Sequence, residues 1–543
     1  MRLRNFSIFS ISFIVLLMYT ADVWASENIK GLVFFDINNN GIQNSNEQGI
    51  KDVLVSNGID IVKTDQKGNF SLKRVGHLPV FIIKPSGYQL STSNYGQPCF
   101  YEGSETKHTS NLQFGLLKQD EKTKTDVVLL GDIQPHNIDE IYYSLRTSID
   151  ELKNMTYDFS LALGDIVSDN PVIFPLLKQI ISTTGHPSYY TFGNHDLDWE
   201  FLHENGVKNW DIEFIRTVGP TCYAMSWGNT NVLSINNINV KWNDNKNKSD
   251  YDYFMNKGQM TFISNYLSHI KKDDLLIIAS HARPDEIKNK LDFYKLFQGF
   301  SNVLFVFGHY HRTENYRIGK EQGWPNETPA HCIDAGAVCG GHWRGEEDMF
   351  GIPSATMTDG TPKGYVFLEI DTTGSYNLKY KASGMSNEKQ MHIYSPDYLT
   401  WDKNFQPVDP TPNNFFYANI YLGGEQTKVE YKVDGGDWFP MHKVEEPDPY
   451  LKRLMMRQKL GIYPTEGARK LKRTYDTQIP CSHLWKVVCP SGLSYGVHEL
   501  EVRFTDPYIQ NSSQKHGFIY LSPELKKTNK ELNKRYKSWV DSQ

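Results

Sequence analysis

The sequence predicts an α/β core flanked on each side by an all-β, sandwich-like domain. Five apolar runs in the middle of the chain each end at Asp, Asn or His, as buried strands do when a polar loop follows. On both flanks, short β-branched and aromatic runs alternate with Gly, Asn and Asp turns, a pattern typical of β-sandwiches. A chain of 543 residues, 39% of them hydrophobic, is long enough for about three domains.

Residues 1–25 are interpreted as a signal peptide. Two arginines precede an apolar stretch from Phe6 to Thr20, and Val23-Trp24-Ala25 fits a small-residue cleavage site. The alternative is a membrane anchor, which the shortness of the apolar stretch disfavours. We therefore expect an exported protein, periplasmic or extracellular, with no transmembrane segment in the mature chain.

Residues 26–118 are expected to form the N-terminal domain, an Ig-like β-sandwich. Within it, the segment from Asp36 to Glu47 has the spacing of a calcium-binding loop, with Gly41 at the sharp turn. Strands flank this loop, and the segment resembles the Ig-like repeats of bacterial surface adhesins, which implies a bound calcium ion. The alternative is an Asn-rich turn that binds nothing. The expected oxygen donors are Asp36, Asn38, Asn40 and Glu47.

Residues 119–386 are expected to form the core, whose five apolar runs carry the chemistry. The runs read VVLLGDIQPH, LALGDIVSD, TFGNHD, LLIIASHARP and LFVFGHYH. In an open α/β sheet, the loops at the carboxyl ends of the strands converge on one edge, so residues distant in sequence meet there. Carboxylates, a carboxamide and imidazoles crowd together only when cations neutralise and orient them. The predicted cluster contains Asp132, Asp165, Asn194, His281, His309 and His311.

This ordered set of blocks resembles the calcineurin-like metallophosphoesterase superfamily over residues 126–313, and in particular its exported bacterial members with N-terminal and C-terminal β-sandwich accessory domains. The resemblance implies a metallophosphoesterase core in which a β-sandwich is flanked by helices, and it implies two divalent metal ions, Mn, Fe or Zn. The implied ligands of the first metal are Asp132, Gln134, Asp165 and His311. Those of the second metal are Asp165, Asn194, His281 and His309.

One position departs from the superfamily pattern, because Gln134 stands where a histidine is usual. An amide oxygen is a harder and weaker donor than imidazole, so this metal is expected to bind less tightly, or to be Mn or Fe rather than Zn. His136, two residues further on, is the alternative ligand. A second departure is Ser168, which takes the place of the tyrosine ligand of purple acid phosphatases and disfavours that subfamily.

The resemblance also implies a mechanism in which a hydroxide that bridges the two metals attacks phosphorus. Asp165 would support the bridge, and His195 would face the leaving-group oxygen as general acid. Asp196 is expected to orient His195, while Asp169 would support a neighbouring histidine. The implied catalytic residues are therefore His195, Asp165 and Asp196.

A Gly-rich, aromatic and acidic segment, residues 331–365, begins twenty residues after His311. Long connections of this kind are usually functional, so we expect it to be exposed and to line the substrate cleft. A predicted strand pair from Gly364 to Lys381 follows. The expected substrate-binding residues are His342, Trp343, Arg344 and Asp359.

Residues 387–522 are expected to form a C-terminal β-rich domain, again sandwich-like. A helical arm rich in Arg and Lys, from Leu451 to Arg473, interrupts its strands. Residues 523–543 are a predicted helical tail, with the helix from Pro523 to Val540.

All six cysteines lie in the expected mature chain, and an exported protein can form disulfides. The pairs that close short loops, Cys332 with Cys339 and Cys481 with Cys489, are the expected bonds. None has the C-x-x-C spacing of a metal site, so the alternative is that the thiols are free or purely structural.

Charge and composition narrow the partners and the function. A formal net charge of −6 and a pI near 6.3 give no reason to expect nucleic acid, and a small phosphoester is the expected substrate. The favoured function is that of an exported metal-dependent phosphoesterase acting on a phosphomonoester or phosphodiester. The rival is a surface protein that binds glycan or a partner and carries a degenerate metal site; the intact donor set favours the enzyme.

Overall fold

The structure is a computed structural model that describes residues 28–93, 96–102, 111–120, 122, 124–205, 210–246, 248–345, 347–396, 414–459 and 479–542. The expected signal peptide, residues 1–25, lies outside this part of the chain. Within it, three sheet-rich regions follow one another, and most of the helices belong to the middle region.

Short strands make up the N-terminal region: β1 (Asn28–Phe35), β2 (Leu54–Ser56), β3 (Ile61–Lys63), β4 (Asn69–Lys73), β5 (Phe81–Ile83), β6 (Tyr88–Leu90) and β7 (Asn111–Lys118). They form a four-stranded sheet, β4-β1-β7-β6, and a three-stranded sheet, β3-β2-β5. On β4, Phe70 and Leu72 are buried, whereas Asn69, Ser71 and Lys73 are exposed, as the alternation of a strand requires. The Ig-like classification stays a prediction.

The middle region contains the strands β8 (Lys124–Leu130), β9 (Phe159–Leu163), β10 (Ser188–Thr191), β11 (Tyr223–Trp227), β12 (Thr230–Ser234), β13 (Ile238–Asn243), β14 (Lys248–Tyr253), β15 (Leu275–Ala279), β16 (Val303–Phe307), β17 (Thr313–Ile318), β18 (Ala330–Ala335), β19 (Gly364–Asp371) and β20 (Tyr376–Ala382). One sheet has the order β10-β9-β8-β19-β20, and the other has the order β11-β12-β15-β16-β18-β17. Strands β8, β9 and β10 are mutually parallel, as are β12, β15, β16 and β18.

The two large sheets pack face to face, with helices on the outside. On β8, Val127 and Leu129 belong to the core shared with the second sheet, whereas Val128 and Leu130 pack with helical residues such as Phe174. Strands covered on both faces are apolar throughout, which is why their runs carry no polar alternation. The predicted core, a β-sandwich flanked by helices, is confirmed.

The helices of the middle region begin at recognisable caps. Asn137 accepts a hydrogen bond from the Glu140 amide at the start of the first helix, and Asn256 does the same for Gln259. A π-helical turn, Leu145–Ile149, joins the first two helices. The helices are α1 (Ile138–Ser144), α2 (Asp150–Leu152), α3 (Phe174–Ser182), α4 (Trp199–Asn205), α5 (Ile212–Thr217), α6 (Lys257–Leu267) and α7 (Lys290–Lys295).

The C-terminal region contains β21 (Met391–Tyr394), β22 (Phe415–Ile420), β23 (Lys428–Val433), β24 (Phe439–Pro440), β25 (His442–Val444), α8 (Pro449–Lys459), β26 (Leu484–Val488), β27 (Gly496–Thr505), β28 (Ser512–Tyr520) and α9 (Pro523–Val540). Its two antiparallel sheets have the orders β21-β22-β26-β25 and β24-β23-β27-β28. The tail helix is confirmed and is capped by Ser522. Of the predicted arm, residues 451–459 are helical and residues 460–473 lie outside the described residues.

The segment 331–365 matches the expectation of an exposed connection only in part, because residues 347–351 are exposed and its first residues are buried. Its first residues belong to β18, and Cys332, Ile333 and Ala335 are fully buried in the second sheet. The polar residues His331 and Asp334 of β18 are buried, whereas the apolar Met349 and Phe350 are exposed, so polarity alone did not indicate exposure.

The two expected disulfides are wrong, because all six cysteines are free thiols. Between Cys481 and Cys489 runs the extended strand β26, five residues that span about 16 Å, whereas a disulfide requires Cα atoms within about 7 Å. Cys332 lies within β18, and Cys339 lies beyond the end of that strand, among the residues of the site described below.

An ion pair connects the N-terminal region to the core and gives a pH-dependent prediction. His77 lies 2.7 Å from Asp211, and this hydrogen bond, although opposed by burial, raises the pKa of His77 above 6.5. The stabilisation is therefore complete below about pH 6.5 and is lost as the pH rises through the elevated value. We expect His77→Gln to lower the free energy of unfolding by about 1 kcal/mol at pH 6 and to have little effect at pH 9.

Denaturant unfolding at the two pH values, followed in parallel for His77→Gln and Asp211→Asn, checks this prediction. His186→Gln serves as a matched control, since that ring contacts a backbone carbonyl instead of a carboxylate. Equal destabilisation by His77→Gln at pH 6 and pH 9 would contradict it.

Candidate metal centre

The polar residues that end the five apolar runs meet at one edge of the sandwich. The parallel strands of both sheets point their carboxyl ends toward this edge, so the loop after each strand contributes a side chain. The strands predicted before these residues are confirmed as β8, β9, β10, β15 and β16. The loops after them contribute Asp132, Asp165, Asn194, His281 and His309, respectively, and His311 lies two residues beyond His309.

Asp165 lies at the centre of this cluster and is almost fully buried. Its Oδ1 is 3.2 Å from Nε2 of His281 and accepts a hydrogen bond from the His195 amide at 2.7 Å. Its Oδ2 accepts a hydrogen bond from Nε2 of Gln134 at 3.2 Å. Both carboxylate oxygens of Asp165 therefore contact nitrogen atoms of residues from other motif blocks.

His281 directs a lone pair at other electron-rich atoms. Its Nδ1 is 2.9 Å from the carbonyl oxygen of Leu163, to which it donates, so Nε2 is the free nitrogen. Nε2 lies 3.1 Å from Oδ1 of Asn194 and 3.1 Å from Nδ1 of His309. Acceptor atoms in such close contact are stable only with a cation or a proton between them, and Asp165, His281 and His309 form a group able to hold a metal ion.

Asp132 provides the matching half of the site. It is fully buried, and its Oδ2 accepts a hydrogen bond from the His309 amide at 2.7 Å. Its Oδ1 has no hydrogen bond within the described residues and lies 3.7 Å from Nε2 of His311. A buried carboxylate oxygen without a donor is costly, so this atom fits a metal ligand.

The geometry favours Gln134 over His136 at the departure from the superfamily pattern. Gln134 is 3% exposed, and its amide group contacts Asp165. His136 is exposed and its ring Nδ1 contacts the Ser168 carbonyl at 3.1 Å. His136 therefore lies at the rim, beyond the buried donor set.

The electrostatic field of the cluster attracts positive charge. Burial opposes protonation of His281, but the attraction of Asp165 and Asp132 outweighs it and raises the pKa of His281 to about 9. Burial would raise the pKa of Asp165, yet His281 and His195 hold it below its usual range. The field that favours a proton on His281 equally favours a divalent cation at the same place.

Backbone strain is concentrated at this site. Among the described non-glycine residues, twelve have a positive φ, a region that ordinary residues seldom occupy. Strained conformations persist where the surroundings impose them, most often at functional sites. Eight of the twelve lie at this edge: Asp132, Gln134, Asp165, Asp169, His309, His311, His342 and Trp343.

The glycines of the motifs make room for the ligands. A Cβ on Gly193 would lie 2.3 Å from Oδ1 of Asp165, and a Cβ on Gly308 would lie 2.4 Å from Oδ2 of Asp132. Any larger residue at either position would displace a carboxylate, which explains why glycine precedes Asn194 and His309.

His195 lies at the open side of the cluster. Its Nδ1 is 2.7 Å from Oδ1 of Asp169, and the His195 side chain is 36% exposed. Burial lowers the pKa of His195, but Asp165 and Asp169 together raise it to about 9, and bound cations would oppose that rise. The prediction that Asp196 orients His195 is wrong: Asp196 is buried and accepts hydrogen bonds from the Val167 and Gly193 amides, and Asp169 holds the ring instead.

The expected substrate-binding residues separate into two groups. The ring of His342 lies 4.3 Å from that of His311, centroid to centroid, and Arg344 is half-buried on the same loop. Trp343 and Asp359, by contrast, are 2% and 1% exposed, so they do not line the cleft as expected. Trp343 packs against Tyr143.

Asp359 helps to hold the segment that follows His311. Its Oδ2 accepts a hydrogen bond from the Thr313 amide at 2.7 Å and lies 2.9 Å from Nε2 of His483, a buried residue of the C-terminal region. The neighbouring Thr358 amide donates to the carbonyl of His311. The C-terminal region thus fixes the segment that follows the last histidine of the cluster.

Two residues of the site were not identified from the sequence. The Tyr253 hydroxyl lies 2.9 Å from Nε2 of His309, which leaves Nδ1 of that ring directed at His281. Sγ of Cys339 lies 3.7 Å from Nδ1 of His311. Tyr253 is the last residue of β14, outside the motif blocks, and Cys339 lacks the spacing of a metal site. The sequence pattern therefore gave no reason to place either residue in the cluster.

Comparison with protein families gives three matches that follow one another along the chain. Residues 125–313 match the calcineurin-like phosphoesterases, residues 37–119 match the N terminal of calcineurin-like phosphoesterase, and residues 333–511 match the C terminal of calcineurin-like phosphoesterase. No curated protein matches significantly. Among solved structures, a purple acid phosphatase from seeds of yellow lupin (Lupinus luteus) is similar with 13% identity and a TM-score of 0.32, covering 62% of this chain and 69% of that one.

Proposed function

This chain belongs to the calcineurin-like phosphoesterases, and from this premise we propose that it is an exported enzyme that hydrolyses a small phosphomonoester or phosphodiester at the cluster around Asp165. The family is one of metal-dependent phosphoric ester hydrolases. The single observation that carries the proposal is the convergence of lone pairs from Asn194, His281 and His309 inside the cluster. Beside His311, in the same cluster, the described residues offer no hydrogen bond to the buried Oδ1 of Asp132.

The donor set fits two divalent cations, which we propose to be Mn, Fe or Zn. When bound, such cations activate water and neutralise the charge that develops on the phosphoryl oxygens. The first metal site consists of Asp132, Gln134, Asp165 and His311. The second metal site consists of Asp165, Asn194, His281 and His309.

His195 supplies the proton in this proposal. Its Nδ1 is engaged by Asp169, so Nε2 is the atom that can donate to the leaving-group oxygen. Oδ1 of Asp165 accepts a hydrogen bond from the His195 amide, and in this proposal the same carboxylate would hold both cations. The position of the acid is therefore coupled to the position of the cations. His342 and Arg344, on the loop beside His311, are the residues we propose to contact the substrate.

Export is proposed from the N-terminal sequence alone, where two arginines, an apolar stretch and a small-residue site follow one another. Among the described helices, none combines the length and apolarity needed to cross a membrane.

The experiment that tests the function uses the full chain, metal-depleted and then loaded separately with Mn, Fe(II) or Zn. Chromogenic phosphomonoesters and phosphodiesters are supplied as substrates, and bound metals are counted by elemental analysis. We expect two metal ions per chain and hydrolysis that chelation abolishes, and cell fractionation should recover the activity outside the cytoplasm. Full activity in metal-free protein would contradict the proposal.

The loop from Asp36 to Glu47 is proposed to bind calcium. Asp36 is fully buried and accepts hydrogen bonds from the Asn40 and Gly41 amides at 3.0 and 2.8 Å. Asn38 and Asn40 likewise turn their side-chain oxygens toward the loop backbone, and Glu47 accepts from the Ile37 amide. These side-chain oxygens are turned toward the backbone of the loop, as in loops that bind a cation, and this arrangement supports the proposal.

Calcium at about 100 times its dissociation constant is expected to stabilise the N-terminal region by about 2.7 kcal/mol. Glu47→Gln should remove most of this effect because it replaces the bidentate carboxylate, whereas Asn46→Ala, an exposed neighbour, should retain it. Thermal unfolding with and without calcium checks the prediction. An unfolding temperature of the unmodified chain that does not respond to calcium would identify the loop as an ordinary Asn-rich turn.

A further inference from the structure

The helix α9 carries a charge opposite to that of the whole chain. Between Pro523 and Val540 it contains six Lys or Arg residues and two Glu residues, which gives a formal net charge of +4. The whole chain has a formal net charge of −6, so the residues outside α9 are strongly acidic. A basic segment attached to an acidic protein is attracted to anionic surfaces, and this attraction does not involve the metal centre.

The same helix has an apolar stripe, which consists of Leu525, Leu532, Tyr536 and Trp539. These residues follow one another at intervals of seven, four and three, so they lie on one face of the helix. Each of them is 54–57% exposed, and Val540, next to Trp539, is 44% exposed. The rings of Tyr536 and Trp539 lie 5.7 Å apart, centroid to centroid. The apolar stripe is therefore continuous at its C-terminal end and open to solvent.

The apolar stripe is not used to stabilise the fold. Within the part of the chain that the structure describes, the hydrophobic clusters include neither Leu525 nor Leu532 nor Trp539. The hydroxyl of Ser522 accepts a hydrogen bond from the Leu525 amide at 3.1 Å, which fixes the start of the helix but buries no apolar surface. Helices of this length gain most of their stability by packing an apolar face. The apolar stripe is therefore a surface suited to an apolar partner.

The residues beside the apolar stripe favour an anionic lipid surface as that partner. Helical spacing places Arg535 on one side of the stripe and Lys537 on the other, where long basic side chains can reach lipid phosphates while the stripe is buried. Trp and Tyr are the residues most suited to the boundary between headgroups and acyl chains. A second copy of α9 would instead bring two helices of charge +4 together, and the repulsion opposes that pairing.

We propose that α9 lies flat on an anionic phospholipid bilayer, with the apolar stripe in the boundary between headgroups and acyl chains and its basic residues against the lipid phosphates. A helix with this charged face lies on a membrane and does not cross it. The inference goes beyond the proposed hydrolysis, because it requires neither bound metal nor substrate. Its consequence is that an exported enzyme would be held at a membrane of the cell envelope.

Vesicle flotation with the full chain tests the proposal. One set of vesicles contains equal parts of phosphatidylglycerol and phosphatidylcholine, and the other contains phosphatidylcholine alone. We expect binding to the anionic vesicles to be tighter by about 10-fold or more, and to weaken as the NaCl concentration rises, because salt screens the attraction between the basic residues and the lipid. Equal binding to both kinds of vesicle would contradict the role of charge and overturn the proposal.

Variants of α9 separate the apolar stripe from the basic residues. The double variant Leu532→Ser/Trp539→Ser should weaken vesicle binding by about 100-fold, because it removes apolar surface that the membrane buries. Lys534→Gln/Arg535→Gln should weaken it by about 10- to 30-fold. Ser538→Ala is the matched control, since Ser538 is exposed beside Trp539 but lies on the other side of the helix, and it should bind as the unmodified chain does. Thermal unfolding of each variant verifies that the fold is intact.

The remaining outcomes identify other occupants of the stripe. Absence of binding to anionic vesicles, or binding retained by Leu532→Ser/Trp539→Ser, would overturn the proposal. Sedimentation measures self-association: a dimer of the unmodified chain that this double variant dissociates, without vesicle binding, would assign the apolar stripe to a second copy and also overturn it. Hydrolysis of a soluble phosphomonoester should be unchanged in all these variants, so a failure of the enzymatic function and a failure of membrane binding are distinguished.

Discussion

Replacing Asp165 by Asn is expected to lower kcat by about 10³-fold and to release at least one metal ion. In the proposed function Asp165 is shared by both metal sites, and its two oxygens face His281 and Gln134. The substitution keeps the shape and removes the negative charge that holds two cations. Metal assistance contributes several kcal/mol to such reactions, and about 1.4 kcal/mol corresponds to each factor of ten.

Kinetics on a chromogenic phosphomonoester and elemental analysis of the same samples check this prediction. Asp158→Asn is a matched control, because Asp158 immediately precedes β9, whereas Asp165 follows the far end of the same strand. The control should keep both metals and its activity. If Asp165→Asn retained two metal ions and normal turnover, Asp165 would not be the shared ligand.

Replacing His195 by Ala is expected to lower kcat by about 10²- to 10⁴-fold with no loss of metal. The ring is partly exposed and bound to Asp169, and only its amide contacts Asp165, so the metal donors remain intact. The defect should be larger for alkyl phosphates than for nitrophenyl phosphates, because an alkoxide leaving group needs a proton and a nitrophenolate does not.

The comparison of the two leaving groups distinguishes acid catalysis from support of the fold. Asp169→Asn should show the same dependence on the leaving group with a smaller decrease, since it loosens the ring without removing it. His186→Ala, whose ring packs on Tyr157 away from the site, should behave as the unmodified chain. A His195→Ala variant that lost metal, or that was equally slow with both substrates, would show that His195 does not act as the acid.

The core strands were predictable because they are buried on both faces. Leu275 to Ala279 and Val303 to Phe307 are uninterrupted apolar runs, and the structure begins and ends β15 and β16 at those same residues. The histidine two residues after each run, His281 or His309, lies in the cluster because strand direction fixes where the loops meet. Local composition and sheet geometry together were sufficient for that part of the site.

Side chains whose partners lie far away in sequence were not predictable. Asp359 occupies an apparently polar turn, yet its partner His483 comes from a different region of the chain. Asp196 follows His195 directly, but its carboxylate turns back to the Val167 and Gly193 amides. Adjacency in sequence suggested a hydrogen bond between Asp196 and His195, but the tight turn directs the Asp196 carboxylate to backbone amides.

The hydrogen bond between Asp359 and His483 also has a consequence for how the protein is made. Every metal donor up to His311 leaves the ribosome long before His483 does, although Thr313 depends on that later residue through Asp359. Domains tend to fold as they emerge, from the N-terminal end. The last turn of the metal centre therefore reaches its final arrangement only near completion of translation, which delays a working hydrolase until nearly the whole polypeptide exists.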